Sequence, residues 1–311
     1  MIAHRGASGY RPEHTLAAYE LAIRQCADAI EPDVVSTKDG VLVARHENEI
    51  SGTTDVGSRP EFADRRTTKT IDGVSVTGWF TEDFTLADLR TLRAVERLPQ
   101  IRPANTAFDG LYPIPTVAEV FDLARHSRTG TGKPVGVAPE TKHPTYFAGI
   151  GLPLEERLLA QLERSGLDRS RVLIQSFEAD NLGRLRPMTD VRLLQLVDDS
   201  SAHLVTASGL REVAAYADAV GVVKDLVIPR DAAGNLREPT DVVADAHNAG
   251  LEVVGWTFRR ENSFLPADYR IGTDPADIGN LAGEIGRFLD AGMDAFFTDN
   301  PDIGGAVVRL R

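Results

Sequence analysis

Ile2-Ala3-His4-Arg5-Gly6 opens the chain, and Ala29-Ile30-Glu31-Pro32-Asp33-Val34 is the next run of the same kind. Both are short apolar stretches that end in polar, chemistry-bearing groups. Between them, Glu13–Cys26 carries its apolar residues at helical spacing. Strand, helix and strand in that order make a βαβ unit, the module of parallel sheets.

The alternation continues to the C-terminus. Further apolar, β-branched runs lie at Val135–Glu140, Val172–Phe177, Arg192–Val197, Ala219–Lys224, Glu252–Phe258 and Ala295–Asp299. Helical patterns separate them at Thr116–Arg128, Leu154–Ser165, Ala179–Arg186, Leu210–Ala217, Thr240–Ala249 and Asp277–Ala291, with Gly166, Gly250 and Gly292 placed as C-caps. Strands apolar on both faces belong to a sheet covered by helices. Eight such strands predict an α/β fold of the (β/α)8 TIM-barrel type, with an open doubly wound sheet as the alternative. The open sheet would carry a glycine-rich turn after strand one, and Gly6-Ala7-Ser8-Gly9 lacks the third glycine. Residues 1–311 read as one barrel domain. Glu47–Pro115 is too long and polar for a plain connection and reads as a small inserted subdomain. It has one clear helix start, Thr85-Leu86-Ala87-Asp88-Leu89. Arg259–Asp274 is a shorter polar excursion.

The 311 residues carry 46 acidic and 34 basic side chains, a net charge of −12, which disfavours nucleic acid and anionic membranes as partners. An anionic substrate then needs a local basic or metal site. No apolar run approaches the roughly 20 residues that span a bilayer, so stable membrane insertion is not expected. No secretory leader pattern opens the chain. As given this points to the cytoplasm, and to the periplasm or secretion if a leader has been removed. Cys26, the single cysteine, excludes an intrachain disulfide and reads as a small core residue. Nothing in the sequence sets the oligomeric state.

In a barrel of this type the C-terminal strand ends form the functional face. There lie His4 and Arg5, Glu31 and Asp33, Glu140 and Lys142, then Gln175, Lys224, Trp256 and Asp299. Glu31 and Asp33 at i, i+2 share one face of a strand. With Glu140 they form an oxygen-donor set suited to Ca²⁺ or Mg²⁺ rather than zinc. His4 and His46 can act as acid and base, and Arg5 and Lys142 can neutralise phosphate oxygens. Phe177 and Trp256 offer flat apolar faces at the mouth. Glu13 either favours the first helix through its dipole or holds a catalytic histidine. His126, His143, His203 and His247 show no partner and read as structural or solvated.

Ala3-His4-Arg5-Gly6-Ala7-Ser8-Gly9, Pro12-Glu13-His14-Thr15, Ile30-Glu31-Pro32-Asp33 and Val43-Ala44-Arg45-His46 resemble the glycerophosphodiester phosphodiesterase family. Pro139-Glu140-Thr141-Lys142, Leu173–Phe177, Gly255-Trp256-Thr257 and Phe297-Thr298-Asp299 extend the resemblance over nearly the whole chain. Thr53-Thr54-Asp55-Val56 and Asp83-Phe84-Thr85-Leu86 in the insert resemble the family's bacterial periplasmic branch. The resemblance implies a divalent cation, Ca²⁺ first and Mg²⁺ as the alternative, held by Glu31, Asp33 and Glu140. It implies hydrolysis of glycerophosphodiesters to sn-glycerol 3-phosphate and an alcohol, with His4 and His46 as the acid–base pair. Arg5 and Lys142 map as phosphate contacts, Gln175, Phe177 and Trp256 as substrate contacts. Glu47 stands where the family commonly has Asp, which is expected to touch a loop and not the chemistry. The competing readings are a phosphodiesterase of lysophospholipids or wall polymers, and a non-catalytic barrel.

Overall fold

The computed structural model describes Met1–Arg311. Thirteen strands form: β1 Ile2–His4, β2 Ala29–Glu31, β3 Asp33–Ser36, β4 Leu42–Ala44, β5 Thr67–Ile71, β6 Val74–Gly78, β7 Gly136–Val137, β8 Glu140–Thr141, β9 Leu173–Ser176, β10 Arg192–Val197, β11 Ala219–Val223, β12 Glu252–Phe258 and β13 Ala295–Thr298. The large sheet runs β4-β3-β8-β9-β10-β11-β12-β13-β1-β2-β7, parallel throughout except for the β3–β4 pair. Its two ends are the same pair of chain segments. Proline splits the second predicted strand into β2 and β3 at Pro32, and the third into β7 and β8 beside Pro139, because a proline has no N–H for the ladder. Across the breaks the amides of Gly136, Ala138, Glu140 and Lys142 still donate to the carbonyls of Asp28, Ile30, Pro32 and Val34. The ring of eight parallel strands is therefore closed, and the fold is the expected TIM barrel.

Ile2, Ala138, Leu194, Leu196, Ala219, Val254 and Phe297 form a small buried cluster of their own. Gly221 makes room for it, since a Cβ there would lie 2.5 Å from the Leu194 side chain. The larger core, with Ile30, Phe121, Ile174 and Phe288, contains apolar residues of both strands and helices. Gly166, Gly250 and Gly292 all have positive φ, as the C-caps require.

Several helix limits differ from the reading of the sequence. The first helix is Leu16–Arg24, capped by the Thr15 hydroxyl on the Ala18 amide. Glu13 thus lies in the loop before the helix and is no N-terminal dipole residue. The helix expected at Leu210–Ala217 forms earlier, at Ala207–Val213, where Thr206 caps it. Val117–Arg125, Val242–Asn248 and Leu281–Asp290 are shorter than their patterns because flanking residues turn away at the caps. Cys26 is half-buried with φ 68° just past the first helix, not a core residue.

Residues 47–115 contain the expected capped turn, Leu86–Leu89 with its capping box, and a hairpin the sequence reading did not anticipate. Strands β5 and β6 pair antiparallel around Asp72-Gly73, both at positive φ. Asp-Gly between alternating β-branched residues was the available signal. No helix is long and apolar enough to cross a membrane.

Candidate active site

The first βα turn sets the geometry. Arg5 has φ 59°, unusual for a non-glycine residue, and its backbone N–H donates to Glu31 Oε2 at 2.6 Å. Gly6 follows at φ 87°, where a Cβ would sit 2.7 Å from the backbone of Ala18. Only glycine lets the chain turn so tightly against the first helix. The Arg5 side chain points at a carboxylate group: Nη1 donates to Glu13 Oε1 at 3.1 Å, and Nε lies 3.5 Å from Asp33 Oδ2.

One pocket at the C-terminal strand ends is lined by His4, Arg5, Glu31, His46, Glu140, Lys142, Gln175, Phe177 and Trp256, with Leu196, Thr257, Arg259 and Phe297. Of the residues expected at the mouth, Asp33, Glu13, Lys224 and Asp299 do not line it: Asp33 and Glu13 lie behind Arg5, Asp299 behind His4, and Lys224 lines a neighbouring cavity. Glu13 touches no catalytic histidine, contrary to one sequence expectation. It bridges Arg5 and Arg97, accepting from the latter's Nε at 2.8 Å.

Each pocket histidine is held at Nδ1 by a carboxylate. His4 Nδ1 is 2.6 Å from Asp299 Oδ1 and His46 Nδ1 is 2.9 Å from Glu47 Oε1. This fixes both imidazoles with the proton on Nδ1 and the lone pair on Nε2. His46 Nε2 is 3.3 Å from Lys142 Nζ, a donor, which agrees with that tautomer. Burial and the neighbouring Arg5 lower His4 to about 4. Burial, Arg5 and Lys142 lower His46 to about 3. Both rings are neutral at pH 7 in this state.

Glu31, Asp33 and Glu140 present ligand atoms within 4.8 Å of one another, all buried. Burial, then repulsion from Asp33 and Glu140, pushes Glu31 well above the carboxylate range. Burial likewise raises Glu140 to about 8, although Lys142 lies 2.9 Å away. Asp33 goes the other way: burial opposes its charge, but the hydrogen bond from His14 and the Lys142 ammonium hold it ionised. Asp33 Oδ1 and Gln175 Oε1 are buried without a hydrogen-bond partner. Three crowded carboxylates, two of them pushed upward by burial and mutual repulsion, and orphaned oxygens beside them are the features of a hard-cation site. The donor set fits a divalent cation.

Several residues here escaped the sequence reading. His14, wholly buried, bridges Asp33 Oδ2 at 2.8 Å and the Tyr19 hydroxyl at 2.7 Å. Arg102, from the insert, joins Asp299 Oδ2 at 2.6 Å to Glu261 at 2.8 Å and donates to Ser8 O. Arg259 also reaches Asp299 Oδ2, at 2.8 Å. Glu47, expected to touch only a loop, contacts the His46 ring, and His143 has carboxylate partners. His143 Nε2 is 2.8 Å from Glu47 Oε2 and Nδ1 is 2.5 Å from Asp72 at the hairpin tip. His247 pairs with Asp294 at 2.8 Å, far in sequence from the site, and His126 with Asp122. Asp122 stands one helical turn before His126, but the partners of His4, His143 and His247 lie far along the chain, so only proximity in the fold shows them.

Phe177 and Trp256 meet edge to face at 5.7 Å, with Lys142 Nζ 5.6 Å from the Phe177 ring. Trp256 Nε1 is fixed on Gly221 O at 3.0 Å, leaving its ring to the pocket.

Known proteins share this arrangement of sequence and fold. The chain matches the Glycerophosphoryl diester phosphodiesterase family over residues 4–303. A glycerophosphodiester phosphodiesterase of Arabidopsis thaliana is 35% identical over 96% of this chain and 82% of its own length. The one from Bacillus subtilis strain 168 is 32% identical over 97% and 84%. Among solved structures, an Oleispira antarctica phosphodiesterase in complex with the product sn-glycerol-3-phosphate superposes with TM-score 0.66 at 18% identity, covering 99% of this chain and 96% of that one. A glycerophosphodiester phosphodiesterase of Agrobacterium tumefaciens gives 0.62 at 20% identity over 97% of each. By the length of the family match and the identity of these relatives, the chain belongs to the glycerophosphoryl diester phosphodiesterase family.

Proposed function

We propose that this protein hydrolyses glycerophosphodiesters to sn-glycerol 3-phosphate and an alcohol. One observation carries the reading beyond family membership. Two neutral histidines with Nε2 lone pairs line one pocket with Arg5, Lys142 and the three-carboxylate cluster. The relatives' activities and the product bound to the Oleispira protein support it.

Arg5 and Lys142 bind the phosphate oxygens, Arg5 through the guanidinium edge that Glu13 leaves free. One imidazole takes the proton of the attacking hydroxyl, from water or the substrate's own vicinal group. The other, as the imidazolium that the negative charge of a bound phosphodiester favours, gives its Nε2 proton to the departing alkoxide. Asp299 and Glu47 keep the rings in register and stabilise each imidazolium as it forms. A divalent cation held by Glu31, Asp33 and Glu140, Ca²⁺ first and Mg²⁺ as the alternative, supplies charge stabilisation to the phosphoryl oxygens when bound. Gln175, Phe177 and Trp256 shape the walls against which the small organic groups lie.

The test is a panel of glycerophosphodiesters with each cation, read by glycerol 3-phosphate release. Turnover that a chelator abolishes and either cation restores is expected. Absence of product from every diester with both cations overturns the reading.

A further inference from the structure

A second cavity, of about 270 Å³, opens from the pocket past Trp256, Thr257 and Arg259, which line both. Three cations meet in it around one residue, Phe264. Lys224 Nζ donates to the Phe264 carbonyl at 3.0 Å and Arg230 Nη2 to the same oxygen at 3.2 Å. The Arg259 guanidinium lies 4.6 Å from the Phe264 ring centroid. Like charges gathered in a half-buried space repel, so a fold does not assemble them without compensation.

The compensation is only partial on the cavity side. Lys224 is paired with Glu284 at 2.6 Å, but Glu284 is fully buried and lies outside the lining. Arg259 gives Asp299 its Nε alone, and Asp299 is shared with Arg102 and His4. Arg230 pairs at 3.1 Å with Asp225, which is the one lining carboxylate and stands half-exposed. The wall thus shows three cations against one carboxylate. Burial, and less strongly Arg230, lowers the pKa of Lys224 against the pull of Glu284. The shared Asp299 places the cavity on the His4 side of the pocket.

We infer that this cavity is the subsite for the alcohol half of the substrate and that it selects alcohols bearing an anionic group, a carboxylate or a second phosphate. The inference rests on the proposed diesterase activity and names the substrate class within it. The glycerol half carries no charge, so only the alcohol half gains from the cations. The Nη groups of Arg259 and the free edge of Arg230 are the donors that meet the anion.

Glycerophosphoserine and glycerophosphoethanolamine differ by one carboxylate and form the matched pair for the test. The kcat/KM ratio of the serine to the ethanolamine diester is measured for the wild type and for Arg230→Gln, Arg230→Lys and Asp225→Asn. A ratio on one preparation cancels any loss of folded protein. The wild type is expected to favour the serine diester. Arg230→Gln lowers the ratio about tenfold, as loss of a charged hydrogen bond does. Arg230→Lys retains most of it, and Asp225→Asn raises it. A wild-type preference for the ethanolamine diester, or a ratio that Arg230→Gln and Asp225→Asn leave unmoved, overturns the subsite while the diesterase reading stands. Failure of the wild type to cleave either diester, or any other of the panel, overturns both.

Discussion

Arg102 is the sharpest place to perturb the site without touching the pocket. It comes from the insert, is 5% exposed, and does not line the cavity. Its guanidinium holds Asp299 Oδ2 at 2.6 Å and Glu261 at 2.8 Å, and Asp299 in turn holds His4. Arg102→Met removes a buried cation from between two buried carboxylates. Glu261 is left without its partner, which costs about 3–5 kcal/mol of stability. Asp299 keeps Arg259 and stays ionised, but its second anchor is gone. Loosening a residue that orients a catalytic group lowers turnover about 10–100-fold. Substrate contacts are unchanged, so the loss appears in kcat and not in KM. The double variant Arg102→Met/Glu261→Gln separates the two effects, since neutralising Glu261 restores stability but not kcat. Denaturant midpoints, steady-state kinetics on glycerophosphocholine and ¹⁵N shifts of the His4 ring read stability, turnover and tautomer. A folded Arg102→Met protein with unaltered kcat and an unaltered His4 tautomer would falsify the positioning role.

Other consequences follow from the same geometry. His46→Ala should lower kcat by about 10²–10⁴ and leave cation affinity intact; full activity would refute its role. Glu31→Gln should weaken cation binding, measured by titration calorimetry, with turnover recovering only at raised cation concentration; unaltered affinity would remove Glu31 from the ligand set. Without cation, Glu140 has a folded pKa of about 8, above its unfolded value near 4.5. The folded state therefore holds a proton the unfolded state has released, and stability falls as pH rises through this window. From pH 6.5 to 8 the decline is on the order of 2 kcal/mol; urea melts in chelator should show it, Glu140→Gln should flatten it, and an unchanged slope in that variant would contradict the assignment.

What was legible in the sequence was whatever depends on local pattern. Two-faced apolar runs and amphipathic stretches dictate parallel strands and covering helices, and strand ends select the polar residues of the mouth. His4, Glu31, Glu140 and Trp256 were found that way, each at the end of its own run. Proline chemistry broke the second and third strands, yet the ladder continued across both breaks, so the closed ring survived. The hairpin turn Asp72-Gly73 is equally local, an Asp-Gly pair between β-branched residues.

The partners of those residues were a different matter. Asp299 and Arg102 lie 295 and 98 positions from His4, just past the last strand and in the insert. Neither the tautomer of His4 nor the link from Asp72 through His143 and Glu47 to His46 has a sequence period. A lone buried arginine or an exposed histidine carries no sign of its counter-charge until the fold sets the distance, because Coulomb and hydrogen-bond energies depend on separation in space and not along the chain. Local pattern was enough for the barrel, the strand ends that face the pocket and the chemical types of its residues. The fold was needed to show how tightly Glu31, Asp33 and Glu140 crowd together, which carboxylates hold the histidines, and where a second, cationic cavity adjoins the pocket.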